Sequence, residues 1–190
     1  MTTRKTLKGL KFYPVTKNRW DDFEKLFGQR GACGGCWCMW WRLVRNEYDN
    51  QKGAGNKKAM RHIIESGDIP GILAYHNNLP IAWCSLAPRE NYPALERSRI
   101  LKRIDDLPVW SLVCFFIAKD YRHMGLSVRL LKEAKIYCKS RGGKILEGYP
   151  TEPRKDSMPD AFAWTGLASA FRKAGFKEVA RRSKTRPIMR

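Results

Sequence analysis

Apolar positions along the chain change period several times, and each change marks an element. "LKGLKFYPV" (residues 7–15) reads as a first strand, whereas in "TKNRWDDFEKLF" Trp20, Phe23, Leu26 and Phe27 recur at helical spacing behind Thr16, a candidate N-cap. Residues 57–66 are helix-compatible and stopped by Gly67. In "IPGILAYHNNLPIAWCSLAP" two apolar runs meet at His76-Asn77-Asn78, where paired Asn residues tolerate the left-handed backbone of a tight hairpin.

Between Glu90 and Leu107, Ile100, Leu101, Ile104 and Leu107 fall at helical spacing among charges, which predicts a surface helix over the sheet. "PVWSLVCFFIA" is nearly continuously apolar and rich in β-branched and aromatic residues, as in a strand buried on both faces. After "KDYRHMGLS", Leu130, Leu131, Ala134 and Cys138 share one face of a helix ending near Gly142-Gly143. "KILEGYP" follows as a strand, so this strand, helix and strand predict a right-handed parallel crossover. The polar, proline-bearing "TEPRKDSMPD" predicts a loop. "TGLASAFRKAGF" predicts a helix with Leu167, Ala170, Phe171 and Ala174 on one face and Gly175 as its stop; "FKEVARRSKTRPIMR" then reads as strand, turn and short strand. The order is mixed α/β, with an antiparallel start and a parallel middle.

At 190 residues and 43% hydrophobic composition, the chain suits one domain over residues 1–190. No apolar run nears the ~20 residues of a membrane span, and charges interrupt the start; both predict a cytoplasmic protein without membrane contact. Lys and Arg number 37 against 18 Asp and Glu, a net charge of +19 that favours polyanionic partners without choosing among nucleic acid, anionic membrane and phosphorylated small molecules. No nucleic-acid-binding motif of fixed spacing is present. The cationic tail "ARRSKTRPIMR" nevertheless keeps a basic nucleic-acid-binding protein, without catalysis, as an alternative function.

The most informative window is "FFIAKDYRHMGLS", residues 115–127, where a buried strand runs through a short loop with one glycine onto a helix. Such a junction presents successive backbone N–H groups and a positive dipole end to an anion, although a glycine also serves the turn alone. GxGxxG and GxxxxGK[ST] are both lacking. Arg122-His123-Met124-Gly125-Leu126-Ser127 resembles the Arg/Gln-x-x-Gly-x-Gly/Ala signature of the GCN5-related N-acetyltransferase (GNAT) superfamily, and "FRKAGFKEV", residues 171–179, resembles its helix-to-strand motif ending in Gly-Phe.

The resemblance implies a mostly antiparallel sheet with a parallel central pair, flanked by helices. It also implies an enzyme that transfers acetyl directly from acetyl-CoA to a primary amine, as monomer or homodimer and with no metal. Amides around Arg122, His123, Met124, Gly125, Leu126 and Ser127 would hold the pyrophosphate, and the splayed strand from Val113, through Phe115, Phe116 and Ile117, would pair with the pantetheine arm.

Transfer to an amine needs a route for the amine proton and for protonating the leaving thiolate. Glu147, an acidic residue in an apolar strand, is the candidate base; the competing reading pairs it with an arginine. Relatives often carry a tyrosine acid where this chain has Phe171, so Tyr149, on the same strand face as Glu147, is the substitute candidate or a packing residue. Cys114 is a weaker candidate, as a nucleophile for a two-step route.

"RGACGGCWCMWWR", residues 30–42, supports two readings. Cys33 and Cys36 have Cys-x-x-Cys spacing, with Cys38 and His62 or His76 as further zinc ligands, but no second pair follows at finger-like distance. In the GNAT context the stretch would instead form one wall of the acceptor pocket, with Trp37, Trp40 and Trp41 as flat surface for a cationic amine and Arg42 for an acidic group.

Overall fold

In the computed structural model, which describes residues 7–153, 159 and 162–190, seven strands form one sheet in the order β1-β2-β3-β4-β5-β7-β6. They are β1 (Lys11–Pro14), β2 (Gly71–His76), β3 (Leu79–Pro88), β4 (Trp110–Ile117), β5 (Leu146–Gly148), β6 (Glu178–Arg181) and β7 (Pro187–Met189). Every pair of neighbours is antiparallel except β4 and β5, which are parallel and joined by helix α5 (Leu126–Ser140). The β2–β3 hairpin turns at Asn77 and Asn78, whose φ angles of 50° and 61° are the left-handed values that Asn accepts most readily after glycine.

Two cores cover the two faces of the sheet. On one, α1 (Trp20–Phe27), residues 37–41 and α3 (Ala54–Glu65) bury Phe23, Trp37, Met60 and Trp83. On the other, α5 and α6 (Ala168–Lys173) bury Leu130, Leu131, Phe171 and Phe176. A short helix α2 (Arg45–Asn50) and a single turn α4 (Pro93–Glu96) complete the helices. Among the described residues, no helix is long and apolar enough to cross a membrane.

Three local expectations are corrected. Thr16 makes no capping bond; a 3-10 turn at Lys17–Arg19 precedes α1, and Arg19 donates to the Thr16 hydroxyl at 3.4 Å. Helix α3 starts at Ala54, a turn earlier than expected. The long helix expected over 90–107 is absent apart from α4, because distant arginines claim the carbonyls a helix would use. Arg89 Nη2 donates to the Leu101 carbonyl at 2.9 Å, and Arg182 donates to the carbonyls of Lys102 (2.7 Å) and Arg103 (3.0 Å). Its apolar residues are still used, since Leu101 is buried and Ile100 and Ile104 pack against the same core. Of the predicted loop 151–160, residues 154–158 and 160 lie outside the described residues.

Candidate active site

Strand β4 loses its parallel partner halfway along. The β4–β5 ladder pairs Trp110, Ser111 and Leu112 with Leu146, Glu147 and Gly148 and then ends, while β4 continues to Ile117. At the same level the β3 register shifts: Ser85 faces Cys114 and Leu86 faces Leu112, which leaves Val113 as an extra residue on β4. A bulge of this kind bends and twists its strand, here where β5 parts from it. Beyond it, Ala118 N–H turns toward β3 to reach the Ile81 carbonyl at 2.9 Å, so by alternation Phe115 and Ile117 present their backbone groups to the side β5 has left. There Phe115 N–H donates to the Trp164 carbonyl at 2.6 Å, and the Ile117 carbonyl accepts from Arg122 Nε at 3.1 Å.

The strand leads through a 3-10 turn at Lys119–Tyr121 to α5. His123 (φ 60°) and Gly125 (φ 76°) both have left-handed backbone, and Gly125 is the N-cap of α5 without a capping side chain. The first-turn amides, from Leu126 onward, therefore meet no side-chain acceptor at the cap. The Leu126 side chain itself is buried in the core, so only its backbone serves this end; His123 and Gly125 are exposed, and Arg122, Met124 and Ser127 are half-buried.

On the opposite face of the sheet lies a cavity of roughly 320 Å³. It is lined by Phe27, Ala32, Cys33, Cys36, Cys38, Trp40, Trp41, Tyr48, Cys114, Phe115, Phe116 and Trp164. No charged side chain is among them. It touches β4 at Cys114, Phe115 and Phe116, where β4 has lost β5. Residues 31–38 build one wall through unusual backbone: Ala32, Trp37 and Cys38 have φ angles of 67°, 43° and 60°. Such conformations in non-glycine residues persist only where surroundings hold them, and they concentrate at ligand-binding sites. Here the Gly35 carbonyl accepts from the Gly53 amide at 3.0 Å and from Asn56 Nδ2 at 3.2 Å, which fixes the wall to the start of α3.

The four residues expected at an acceptor site separate. Trp40 and Trp41 line the cavity. Trp37 does not: it is 3% exposed, stacked between Trp20 and Phe27 at 6.3 and 5.6 Å. Arg42 does not either; it turns away into the interior, donating to the Pro70 carbonyl at 3.3 Å and to the Tyr92 hydroxyl at 3.1 Å. The left-handed residues at 37 and 38 take the chain off any regular period, so consecutive side chains leave in unrelated directions. Spacing gave no sign of Tyr48 or Trp164 as lining residues; each comes from an element distant in sequence.

Glu147 and Tyr149 share a face, as alternation requires, but inside a closed polar network. Glu147, 1% exposed, accepts from Tyr149 at 2.7 Å and Arg89 Nη1 at 3.2 Å through one oxygen and from Arg190 Nε at 2.9 Å through the other. Arg89 Nη1 also reaches the Tyr149 hydroxyl at 2.6 Å, and Ser111 lies 2.8 Å from it. Burial, and then the Glu147 charge, push the Tyr149 phenol far above its ordinary range. Neither side chain lines the cavity. Phe171, in the position of the usual tyrosine acid, is fully buried against β5: a Cβ at Gly148 would lie 2.2 Å from its ring.

Among the described residues, no three His, Cys, Asp or Glu side chains are grouped to hold a metal ion. Contact with Cys38, and then burial, raise the Cys114 thiol well above its ordinary value, and burial raises Cys36. A buried thiol held protonated is a poor nucleophile.

A family model described as "Acetyltransferase (GNAT) family" matches residues 37–159. None of the curated proteins compared matches the chain. Among solved structures, a GNAT-family acetyltransferase from Streptococcus agalactiae aligns with a TM-score of 0.54 and 13% identity, covering 96% of this chain and 95% of its own. The aminoglycoside 6'-N-acetyltransferase AAC(6')-Ih from Acinetobacter baumannii aligns at 0.51 with 17% identity over 92% and 95%. The aminoglycoside N-acetyltransferase AAC(6')-Iy, in complex with CoA, aligns at 0.55 with 14% identity over 92% and 91%. These likenesses carry the fold, and the family model covers well over half of the sequence: the chain belongs to the acetyltransferase (GNAT) family of enzymes.

Proposed function

We propose that the protein transfers acetyl from acetyl-CoA directly to a primary amine bound in the cavity lined by Trp40 and Trp41. The observation that carries this reading is the splay at Val113: β4 leaves Phe115 and Ile117 without a strand partner on the β5 side, and the turn that follows opens α5 with an uncapped N-terminus. A polar arm fits against the former, and phosphates fit amides and a positive dipole end at the latter. The amides around Arg122–Ser127 would hold the pyrophosphate. Acetyl-CoA supplies there a thioester carbonyl open to attack.

The chain's own residues set the rest. Phe115 lines the cavity and its N–H is a candidate donor to the thioester carbonyl; the Trp164 carbonyl that now accepts from it must yield before that amide can polarise another carbonyl. The cavity disfavours an ammonium, because desolvation without a carboxylate favours the neutral form, and the neutral amine is the nucleophile. The ammonium proton thus leaves to solvent as the amine enters. The neutral nitrogen attacks the thioester carbonyl, the C–N bond forms and the C–S bond breaks, and the proton that nitrogen then loses is balanced by the one the departing thiolate takes up, both through solvent. Glu147 and Tyr149 act here as positioning residues: every Glu147 oxygen already accepts from a donor, and the network holds β5 beside β4.

Calorimetry with acetyl-CoA tests this. The wild-type chain is expected to bind saturably. Gly125→Asp places a negative charge at the α5 N-terminus on a backbone with φ 76°, and should weaken binding roughly ten-fold or more. Open space surrounds the Cβ, so a crowding effect is not the cause. Unchanged affinity in that variant would remove the pyrophosphate site from this loop.

A further inference from the structure

The cavity chemistry narrows the acceptor, given the acetyl-transfer reading above. We infer that it is a small monoamine with a flat apolar body, of the arylalkylamine kind, carrying a hydrogen-bond acceptor, and not a polycationic sugar or polyamine. Four observations converge on this.

First, among the described residues the lining contains neither Asp nor Glu, although a polycation desolvated in a pocket requires compensating anions. Second, the aromatic faces that could attract cations are partly taken by the protein's own: the Arg45 guanidinium lies 4.6 Å above the Trp40 ring. The net charge of +19 adds long-range repulsion against any multiply charged amine. Third, about 320 Å³ suits a one- or two-ring amine and lies at the small end of ligand sites.

Fourth, Trp41 Nε1 is buried with no hydrogen-bond partner among the described residues. Buried donors are nearly always satisfied; Arg42 Nε and Asn56 Oδ1 are unpartnered as well, but of the three residues Trp41 alone lines the cavity, so a turn of its indole, whose Nε1 is shielded as it stands, brings this donor to a ligand acceptor. The Trp41 ring itself packs against Trp164 at 5.8 Å and 32° between planes, and Trp40 meets Trp164 nearly edge-on at 6.4 Å. An apolar ring seated against this indole cluster meets surfaces of its own kind.

Turnover and equilibrium binding, measured on the full chain with acetyl-CoA present, test the inference with 2-phenylethylamine, phenylalaninamide, spermidine and kanamycin. The two aryl amines should be acetylated with kcat/KM at least ten-fold above the polycations. Phenylalaninamide, with its carbonyl, should bind better than 2-phenylethylamine by roughly five-fold, and Trp41→Phe should erase that advantage while leaving acetyl-CoA affinity unchanged. Cys33→Glu changes an exposed lining residue and introduces the missing carboxylate, so it should move preference toward spermidine without a folding penalty. Normal acetyl-CoA binding with faster turnover of kanamycin or spermidine by the wild-type chain would overturn the inference and leave the acetyl-transfer reading standing. Absent acetyl-CoA binding would overturn both. An amide advantage that survives in Trp41→Phe would remove the indole N–H from the argument and with it the predicted hydrogen-bond acceptor.

Discussion

Two groups of buried polar atoms lie in the interior, and they differ in how completely they are satisfied. Around Arg89, Glu147, Tyr149 and Arg190 every acidic oxygen and the phenol hydroxyl have partners, and the guanidinium of Arg89 is shared among Glu96, Glu147, Tyr149 and the Leu101 carbonyl. Around the cavity the lining is apolar, and Trp41 Nε1 has no partner among the described residues. A saturated network has nothing left to offer a ligand, and its product is rigidity; an unsatisfied donor on a cavity-lining side chain is where a ligand can still gain a bond. By this criterion we propose the polar cluster as structure and the apolar cavity as the acceptor site, the reverse of what residue type alone suggests.

The most severe way to break this comparison is to open the network. Arg89→Met removes a guanidinium that is entirely buried in its side chain and leaves Glu147 with the Tyr149 hydroxyl and a single cation, Arg190, which it shares with Asp105. The loss should be about 3–5 kcal/mol of stability, measured by urea unfolding, because a buried ion pair is broken and the carboxylate keeps only a shared cation. Glu147→Gln should also destabilise, yet retain kcat within about ten-fold, since a base would be worth ~10²–10⁴-fold. A larger fall with a changed pH profile would make Glu147 a catalytic base after all and overturn its positioning role.

A smaller loss should follow on the cavity side from Gly31→Ala. A Cβ there would lie 2.2 Å from Trp37 Nε1, on a backbone with φ 60°. Trp37 must then shift in a packed core, at a cost of about 1–3 kcal/mol. Because Trp37 is core rather than lining, the variant should lose stability with little change in acceptor KM where it remains folded. A selective rise in acceptor KM would return Trp37 to the binding surface.

The β4-to-α5 region was legible because its signals are local: a period change, a glycine at a helix start and a buried run all sit within a few residues. The hairpin at Asn77-Asn78 was legible for the same reason. The segment 97–107 was not, since what replaces its helix is a set of carbonyls held by Arg89 and Arg182, the latter some eighty residues downstream. Nor could spacing tell Trp41 from Arg42, neighbours in sequence that face a cavity and a polar interior cluster. Alternation put Glu147 and Tyr149 on one face correctly but could not say that Arg89 and Arg190 would meet them there.

The least perturbing test changes only pH, and the two regions should answer differently. Glu24, Glu90, Asp105, Glu152 and Glu178 are all held below their ordinary values, chiefly by hydrogen bonds from Lys57, Arg103, Arg190, Arg172 and Arg181 respectively. Their folded values lie below their unfolded ones, so their stabilisation is fully present above the unfolded carboxylate range, ~4.3 for Glu and ~3.9 for Asp, and is lost as pH falls through the folded values. Thermal midpoints should therefore drop on acidification below that range, modestly, because these pairs are solvent-accessible. Acceptor turnover should instead change well above it. With no lining carboxylate among the described residues, kcat/KM should rise with the neutral fraction of the amine, and its inflection should move when one aryl amine is exchanged for another of different pKa. An inflection that stays fixed across amines would assign the titration to a protein group, and the division between a structural polar network and a functional apolar cavity would have to be redrawn.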